Sequence, residues 1–262
     1  MPGATDVLAT WEAGIAASGT HRALLLHSLA RAAAEPGQLL AMPVGQRDAD
    51  LLLLRRALFG EHASMRLACG ECAEDLEFDF EVRAALAARE PATDGPLPAP
   101  PRRAAAGDEQ GNTGAPIVVT QGRWTVQLRL PTAGDLLAVA EAPTGEARTA
   151  LLTRCVLDAR HGRNQVAAAD LPPAVQERLA EAAAAADPCA DIVFDVPCPA
   201  CRHRTKALLD VATFVWAELD AWARRTLLEV HLLAASYGWS EPEVLALSPF
   251  RRRRYLELCG HA

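Results

Sequence analysis

Two Cys-x-x-Cys pairs, Cys69-Gly70-Glu71-Cys72 and Cys198-Pro199-Ala200-Cys201, sit inside two copies of one pattern and constrain this chain more than any other feature. Superposed without a gap, Met65 falls on Phe194 and Leu67 on Val196, while Leu76, Phe78, Phe80 and Val82 fall on Thr205, Ala207, Leu209 and Val211. Apolar residues alternate on both sides of the cysteines in each copy, so each copy predicts a β-hairpin whose tip presents two sulfurs. An acidic residue and a valine close both second strands, Glu81-Val82 and Asp210-Val211.

Two thiolates fill only half of a zinc ion's tetrahedral shell, whereas two facing tips supply four sulfurs at about 2.3 Å. The spacing therefore predicts one structural Zn2+ held by Cys69, Cys72, Cys198 and Cys201, closed to substrate and joining segments far apart in the chain. A thioredoxin-like redox motif opens a helix after its cysteines, but here a strand pattern follows both pairs. His203 reads as a surface residue close to the site, Cys155 and Cys259 as buried inert thiols, and Cys189 as a substitute ligand.

Helical patterns flank the hairpins. Thr20 can cap a helix over 21–34, and a second runs from Asp48 to Gly60 with Leu51, Leu54 and Leu58 on one face. Residues 89–116 are rich in Pro, Ala, Gly and Asp without apolar periodicity, and are expected to form a disordered linker. A strand is expected over Trp124–Leu130, then helices over 135–141, 148–158 and 173–186. A long helix follows through Phe214, Val215, Leu219, Trp222, Val230 and Leu233 and stops at Gly238. Ser240 and Glu243 then form a capping box, and Ser248 with Pro249 opens a last helix.

The fold class expected is α+β, with helical N- and C-terminal regions around two hairpins that share one zinc site. The segments expected are 1–62 helical, 63–88 first hairpin, 89–116 linker, 117–190 strand plus helices, 191–212 second hairpin and 213–262 helical tail.

A net charge of −7 and a pI near 5.5 give no general attraction to phosphate backbones or anionic lipid. The first hairpin is acidic through Glu71, Glu74, Asp75, Glu77, Asp79 and Glu81, so nucleic acid is not the expected partner. Residues 1–14 lack a basic region followed by an apolar run, and no membrane span is expected; with the cysteines spent on metal, the compartment reads as reducing and cytoplasmic. No phosphate loop, nucleophile elbow or His-Glu-x-x-His helix occurs, and the chain is expected to be a structural component and not an enzyme. Trp222, Trp239, Arg251, Arg252 and Tyr255 are the candidate partner surface, the run Arg251–Arg254 being read as a solvated helix.

The chain resembles the zinc-containing baseplate proteins of contractile tails and contractile injection systems, grouped with the T4-type baseplate hub assembly chaperones. The residues that carry the resemblance are Pro43-Val44-Gly45-Gln46-Arg47-Asp48-Ala49 with the Leu-rich helix to Phe59-Gly60, the two hairpins, and Leu130-Pro131-Thr132 with Asp135-Leu136-Leu137. The closing stretches Leu228–His231, Tyr237–Ser240, Leu245–Arg252 and Tyr255-Leu256 complete it. The resemblance implies a role in building or stabilising the baseplate hub, with hub, spike or tube proteins as partners, possible incorporation into an injection particle, and no catalysis. A zinc-ribbon nucleic-acid adaptor is the alternative, and a thiol redox enzyme the third reading. Gly70, standing where the second hairpin has Pro199, leaves the tightness of the first turn open.

Overall fold

A computed structural model of the chain describes residues 2–87, 115–143 and 145–260. The linker expected over 89–116 lies outside the described residues except for Ala115 and Pro116. Helices Ala4–Gly14 (α1), Gly19–Ala30 (α2), Pro36–Leu40 (α3) and Val44–Phe59 (α4) lead into the strands His62–Ala68 (β1) and Asp75–Glu81 (β2), followed by Val82–Ala87 (α5). Next come Ile117–Gln121 (β3), Trp124–Leu128 (β4), Ala133–Val139 (α6), Ala147–Cys155 (α7), Val156–His161 (β5), Asn164–Gln165 (β6) and Pro173–Ala186 (α8). Strands Val193–Pro197 (β7) and Arg204–Leu208 (β8) precede Val211–Tyr237 (α9), Glu241–Leu245 (α10) and Pro249–Leu258 (α11). The fold is mixed helix and sheet, all described strands pair antiparallel, and no described helix is long and apolar enough to cross a membrane.

The chain divides into two compact units, one made of 1–30 with 212–262, the other of 31–211. In the first, α9 buries Val215, Leu219, Ala223, Thr226, Val230 and Leu233, a stripe at three- and four-residue spacing. Trp11 of α1 donates its indole N–H to Asp220 at 2.8 Å, and the Arg22 guanidinium lies 4.7 Å from the centre of the Trp216 ring. The expected caps close the tail: Glu243 accepts from the Ser240 backbone N–H at 2.8 Å, and Ser248 Oγ accepts from the Arg251 N–H at 3.3 Å.

In the second unit, β3-β4-β5-β6 form a four-stranded sheet whose Val119, Val126, Leu128 and Ala159 pack on Leu171, Val175 and Leu179, the last two on α8. Sequence periodicity carries a helix through 148–158, whereas α7 ends at Cys155 and Val156 turns into β5. Two stretches distant in sequence pair edge to edge: Val44 N–H donates to the Pro131 carbonyl at 3.0 Å, and Ala133 N–H to the Met42 carbonyl at 3.0 Å. Helix α4 begins earlier than expected, at Val44, because the Asp187 carboxylate reaches its first turn and accepts from the Gly45 N–H at 2.8 Å. It ends where expected, on Gly60 at a φ of 97°. Asp135 caps α6 with Thr132 and also receives the guanidinium groups of Arg129 and Arg154, each at 2.9 Å to Oδ1. Both hairpins belong to this unit.

Candidate metal centre

The two hairpins close in the same register. Met65 faces Phe78 and Leu67 faces Leu76 in the first; Phe194 faces Ala207 and Val196 faces Thr205 in the second, the pairing that the sequence superposition requires. Their tips match bond for bond. Cys69 N–H donates to the Glu74 carbonyl at 2.8 Å and Ala73 N–H to the Cys69 carbonyl at 3.0 Å; Cys198 N–H donates to His203 at 2.8 Å and Arg202 N–H to Cys198 at 2.9 Å. Each turn holds a non-glycine residue in the left-handed region just after its second cysteine, Ala73 at φ 59° and Arg202 at φ 64°. Such a conformation costs about 1–2 kcal/mol, and its appearance at the same place in both copies marks one shared turn design. Gly70 therefore closes a turn as tight as that of Pro199.

The four sulfurs lie within 4.8 Å of one another. Two close approaches run between hairpins, Cys69 Sγ to Cys201 Sγ at 3.6 Å and Cys72 Sγ to Cys198 Sγ at 3.7 Å. A tetrahedron with metal–sulfur bonds of about 2.3 Å has edges of about 3.8 Å, so these separations suit ligands around one ion; a disulfide would bring the sulfurs to about 2.05 Å. Cys69 and Cys198 are buried while Cys72 and Cys201 reach the surface. Beneath them Leu76, Val196 and Ala207 form a small apolar cluster, with Phe194 packed 5.2 Å from Phe78 and 4.8 Å from Phe80, centre to centre.

The electrostatics call for a cation. The Cys69 thiol is lowered to about 6 because the backbone N–H groups of Cys72 and Glu71 point at its sulfur. For Cys201 the His203 backbone N–H favours the thiolate, yet burial and the three neighbouring cysteines push the thiol up to about 12. Cys72 is likewise raised: the Glu74 N–H is outweighed by burial and by Cys198 and Cys69. The Cys69 thiolate is favoured at the cluster while those of Cys72 and Cys201 are opposed, and a cation between the four sulfurs would favour all of them. Thr205 adds an unequal support: its hydroxyl accepts from the Gly70 N–H at 3.3 Å and lies 3.8 Å from Cys69 Sγ. A proline at position 70 would lack that N–H.

The structure brings together the four cysteines singled out in the sequence, and among the described residues no other group of three or more His, Cys, Asp or Glu side chains converges on a point. His203 contributes backbone, not ring, to the tip. Cys155 is buried, and desolvation pushes its thiol up to about 11. Cys189 is buried apart from the cluster, and Cys259 is half-buried with its thiol 3.1 Å from the Tyr255 carbonyl.

The candidate partner surface is only partly a surface. Arg252 is 4% exposed; its guanidinium donates to Glu229 at 2.8 Å and to the Leu247 carbonyl at 2.9 Å, which corrects the reading of the arginine run as solvated throughout. Trp239 and Tyr255 are half-buried and stack edge to face at 4.9 Å, with Tyr237 stacked on Trp239 at 4.7 Å. Trp222 is half-buried on α9, and Arg251 is exposed. Sequence reasoning passed over the exposed Phe250 and Leu258, whose helical spacing from Arg254 was the available signal. Compared with known proteins, the chain matches no family model, no curated protein and no solved structure.

Proposed function

We propose that the four cysteines hold a structural zinc ion, and that the chain is a structural or assembly protein of the baseplate hub of a contractile, phage-tail-like injection system. The observation that carries the metal reading is the set of four sulfurs with edges of 3.6 and 3.7 Å drawn from two matching turns. Four thiolates complete the tetrahedral shell and leave no position for substrate, so the ion's role is to lock the hairpins and not to catalyse. All-sulfur tetrahedral donors select zinc over magnesium or calcium. The hub role rests on the resemblance, and two of its stretches, the one opening at Pro43 and Leu130-Pro131-Thr132, lie paired in the fold through the Val44 N–H and the Pro131 carbonyl. In this reading the protein works in the bacterial cytoplasm, where injection particles are built, and its partners are hub, spike or tube proteins.

The test has two arms. Metal analysis of protein purified without chelator should return one zinc per chain, and cobalt exchanged into the site should give the intense charge-transfer absorption of a tetrathiolate. Co-expression with the spike, tube and hub proteins of a contractile system should then yield a complex; a chain that stays alone with all of them refutes the hub role. One observation favours the nucleic-acid reading: Arg202, His203, Arg204 and Lys206 are exposed on the second hairpin. Against it, the first exposes Glu71, Glu74, Asp75, Glu77 and Asp79, and a salt-dependent shift with duplex DNA or RNA would decide for it.

A further inference from the structure

The last helix is fastened on one side and bare on the other. Arg252 and Leu256 point inward: Arg252 binds Glu229 and the Leu247 carbonyl, and Leu256 packs with Val230, Leu233 and Val244. Tyr255 adds edge-to-face contacts with Trp239 and Tyr237, and the Tyr237 hydroxyl donates to the Tyr255 carbonyl at 3.3 Å. Helix α11 is therefore a fixed platform, and its outward residues are held in a defined array.

That array mixes exposed apolar bulk with three cations, two of which form no side-chain ion pair among the described residues. Phe250 is 70% exposed and Leu258 is 78% exposed, two turns apart on the same face. At 1.5 Å per residue they stand about 12 Å apart, with Arg254 between them at four-residue spacing, its guanidinium 5.6 Å from the centre of the Phe250 ring. Arg254 is paired with Glu257 at 2.7 Å. Arg251 and Arg253 flank the stripe, both exposed, and neither has a side-chain ion pair among the described residues. Like charges three residues apart repel along a helix, and here a local positive stripe stands on a chain of net charge −7. Carboxylates from a partner would relieve the repulsion. A phosphate backbone would supply charge but leave Phe250 and Leu258 in water, whereas a protein segment can cover both.

We propose that the outer face of α11, formed by Phe250, Arg251, Arg253, Arg254 and Leu258, is a docking surface for an acidic protein segment that also carries an apolar anchor. Within the assembly role proposed above, on which this rests only for the partner's biological identity, it names the chemistry that a hub protein must present. Phe250 and Leu258 take the apolar anchor, and Arg251 and Arg253 pair with carboxylates on either side of it.

A displayed library of random twelve-residue peptides, selected on the immobilised full chain and counter-selected on the Phe250→Ser/Arg251→Glu variant, tests this without any assumption about baseplates. The expected result is enrichment of peptides combining Asp or Glu with a large apolar residue. Synthetic copies should bind the wild-type chain with an affinity that falls at least tenfold in Phe250→Ser and, separately, in Arg251→Glu/Arg253→Glu, with unchanged far-ultraviolet circular dichroism. Affinity should also fall as salt rises. Absence of variant-sensitive peptides, or enrichment of basic or neutral ones, overturns the proposal. So does a duplex DNA probe whose binding depends on the arginines, or a concentration-dependent dimer in sedimentation that Phe250→Ser abolishes. Failure of the co-expression complexes with a positive peptide selection would remove the hub role and leave this surface standing.

Discussion

Replacing Gly45 by alanine sets two effects of opposite sign against each other. Near the start of a helix alanine is the better former, by as much as about 1 kcal/mol in a helix interior. In this fold the new Cβ would stand 2.0 Å from Asp187 Oδ1, 2.5 Å from its Cγ and 2.8 Å from the Ala190 backbone nitrogen. To reach ordinary contact the carboxylate must retreat by roughly 1.4 Å, which takes Oδ2 out of hydrogen-bond range of the Gly45 N–H that it now meets at 2.8 Å. Losing a charge-assisted bond costs about 1.5–3 kcal/mol, and the anion's interaction with the α4 dipole adds about 0.3–1 kcal/mol. Displacing the Ala190 backbone adds an overpacking cost of about 1 kcal/mol or more. The clash wins, and Gly45→Ala should destabilise by about 2–4 kcal/mol, lowering the melting temperature by about 5–10 °C. Urea unfolding, with hydrogen exchange over 44–59 to localise the effect, measures it. In an Asp187→Ala background most of the clash is gone, and the same substitution should cost at least 1 kcal/mol less. A Gly45→Ala protein more stable than wild type, or an equal cost in both backgrounds, would refute the reasoning.

Cys198→Ser should lose the bound ion and about 3–5 kcal/mol or more of stability, since metal binding at such sites is folding free energy; Cys155→Ser, equally buried but outside the cluster, should keep one zinc per chain by plasma emission analysis. Burial alone would raise the Asp135 carboxyl, but hydrogen bonds from Arg129, the Thr132 backbone and Arg154 hold it well below the usual range. With the folded value depressed, its stabilisation is present above the unfolded value near 4 and is lost as pH falls below it; Asp135→Asn should flatten the acid limb of a stability-against-pH curve and cost about 3 kcal/mol at pH 7. Arg252→Ala should cost about 2–4 kcal/mol by stranding Glu229, while Arg251→Ala, exposed on the same helix, should stay within about 0.5 kcal/mol in parallel thermal melts.

Where local rules decide, the sequence was readable. The hairpins follow from period-two alternation around Cys-x-x-Cys, and the tail follows from side chains that reach only three residues, as in Ser240 with Glu243 and Ser248 with the Arg251 N–H. Partners farther along the chain were not readable. Leu151, Leu152, Cys155 and Val156 suit a helical stripe, yet Val156 joins β5 because β4 offers it a strand, with Val126 opposite Ala159. Nothing in four consecutive arginines separates Arg252 from its neighbours; Glu229, on the preceding long helix, selects it. Helix α4 was expected from Asp48 and starts at Val44, because the carboxylate that meets its first turn, Asp187, lies 142 residues from Gly45.

The two hairpins are alike in backbone and unlike in what surrounds the sulfurs, and the difference has a physical logic. Where the second copy has Pro199, the first has Gly70, whose N–H reaches across to Thr205; where the second has Thr205, the first has Leu76, 3% exposed in the apolar cluster. A donor on one tip is thus matched by an acceptor on the other hairpin. Proline at position 70 would remove the donor and leucine at position 205 the acceptor, so either exchange alone breaks this bond. This cross-matching gives each tip a reason to prefer the other over a second copy of itself. It adds to the four-sulfur requirement, under which neither pair alone can fill a tetrahedral shell. The shared ion proposed above and the unequal polar contact would then select the same pairing, first hairpin with second, within one chain.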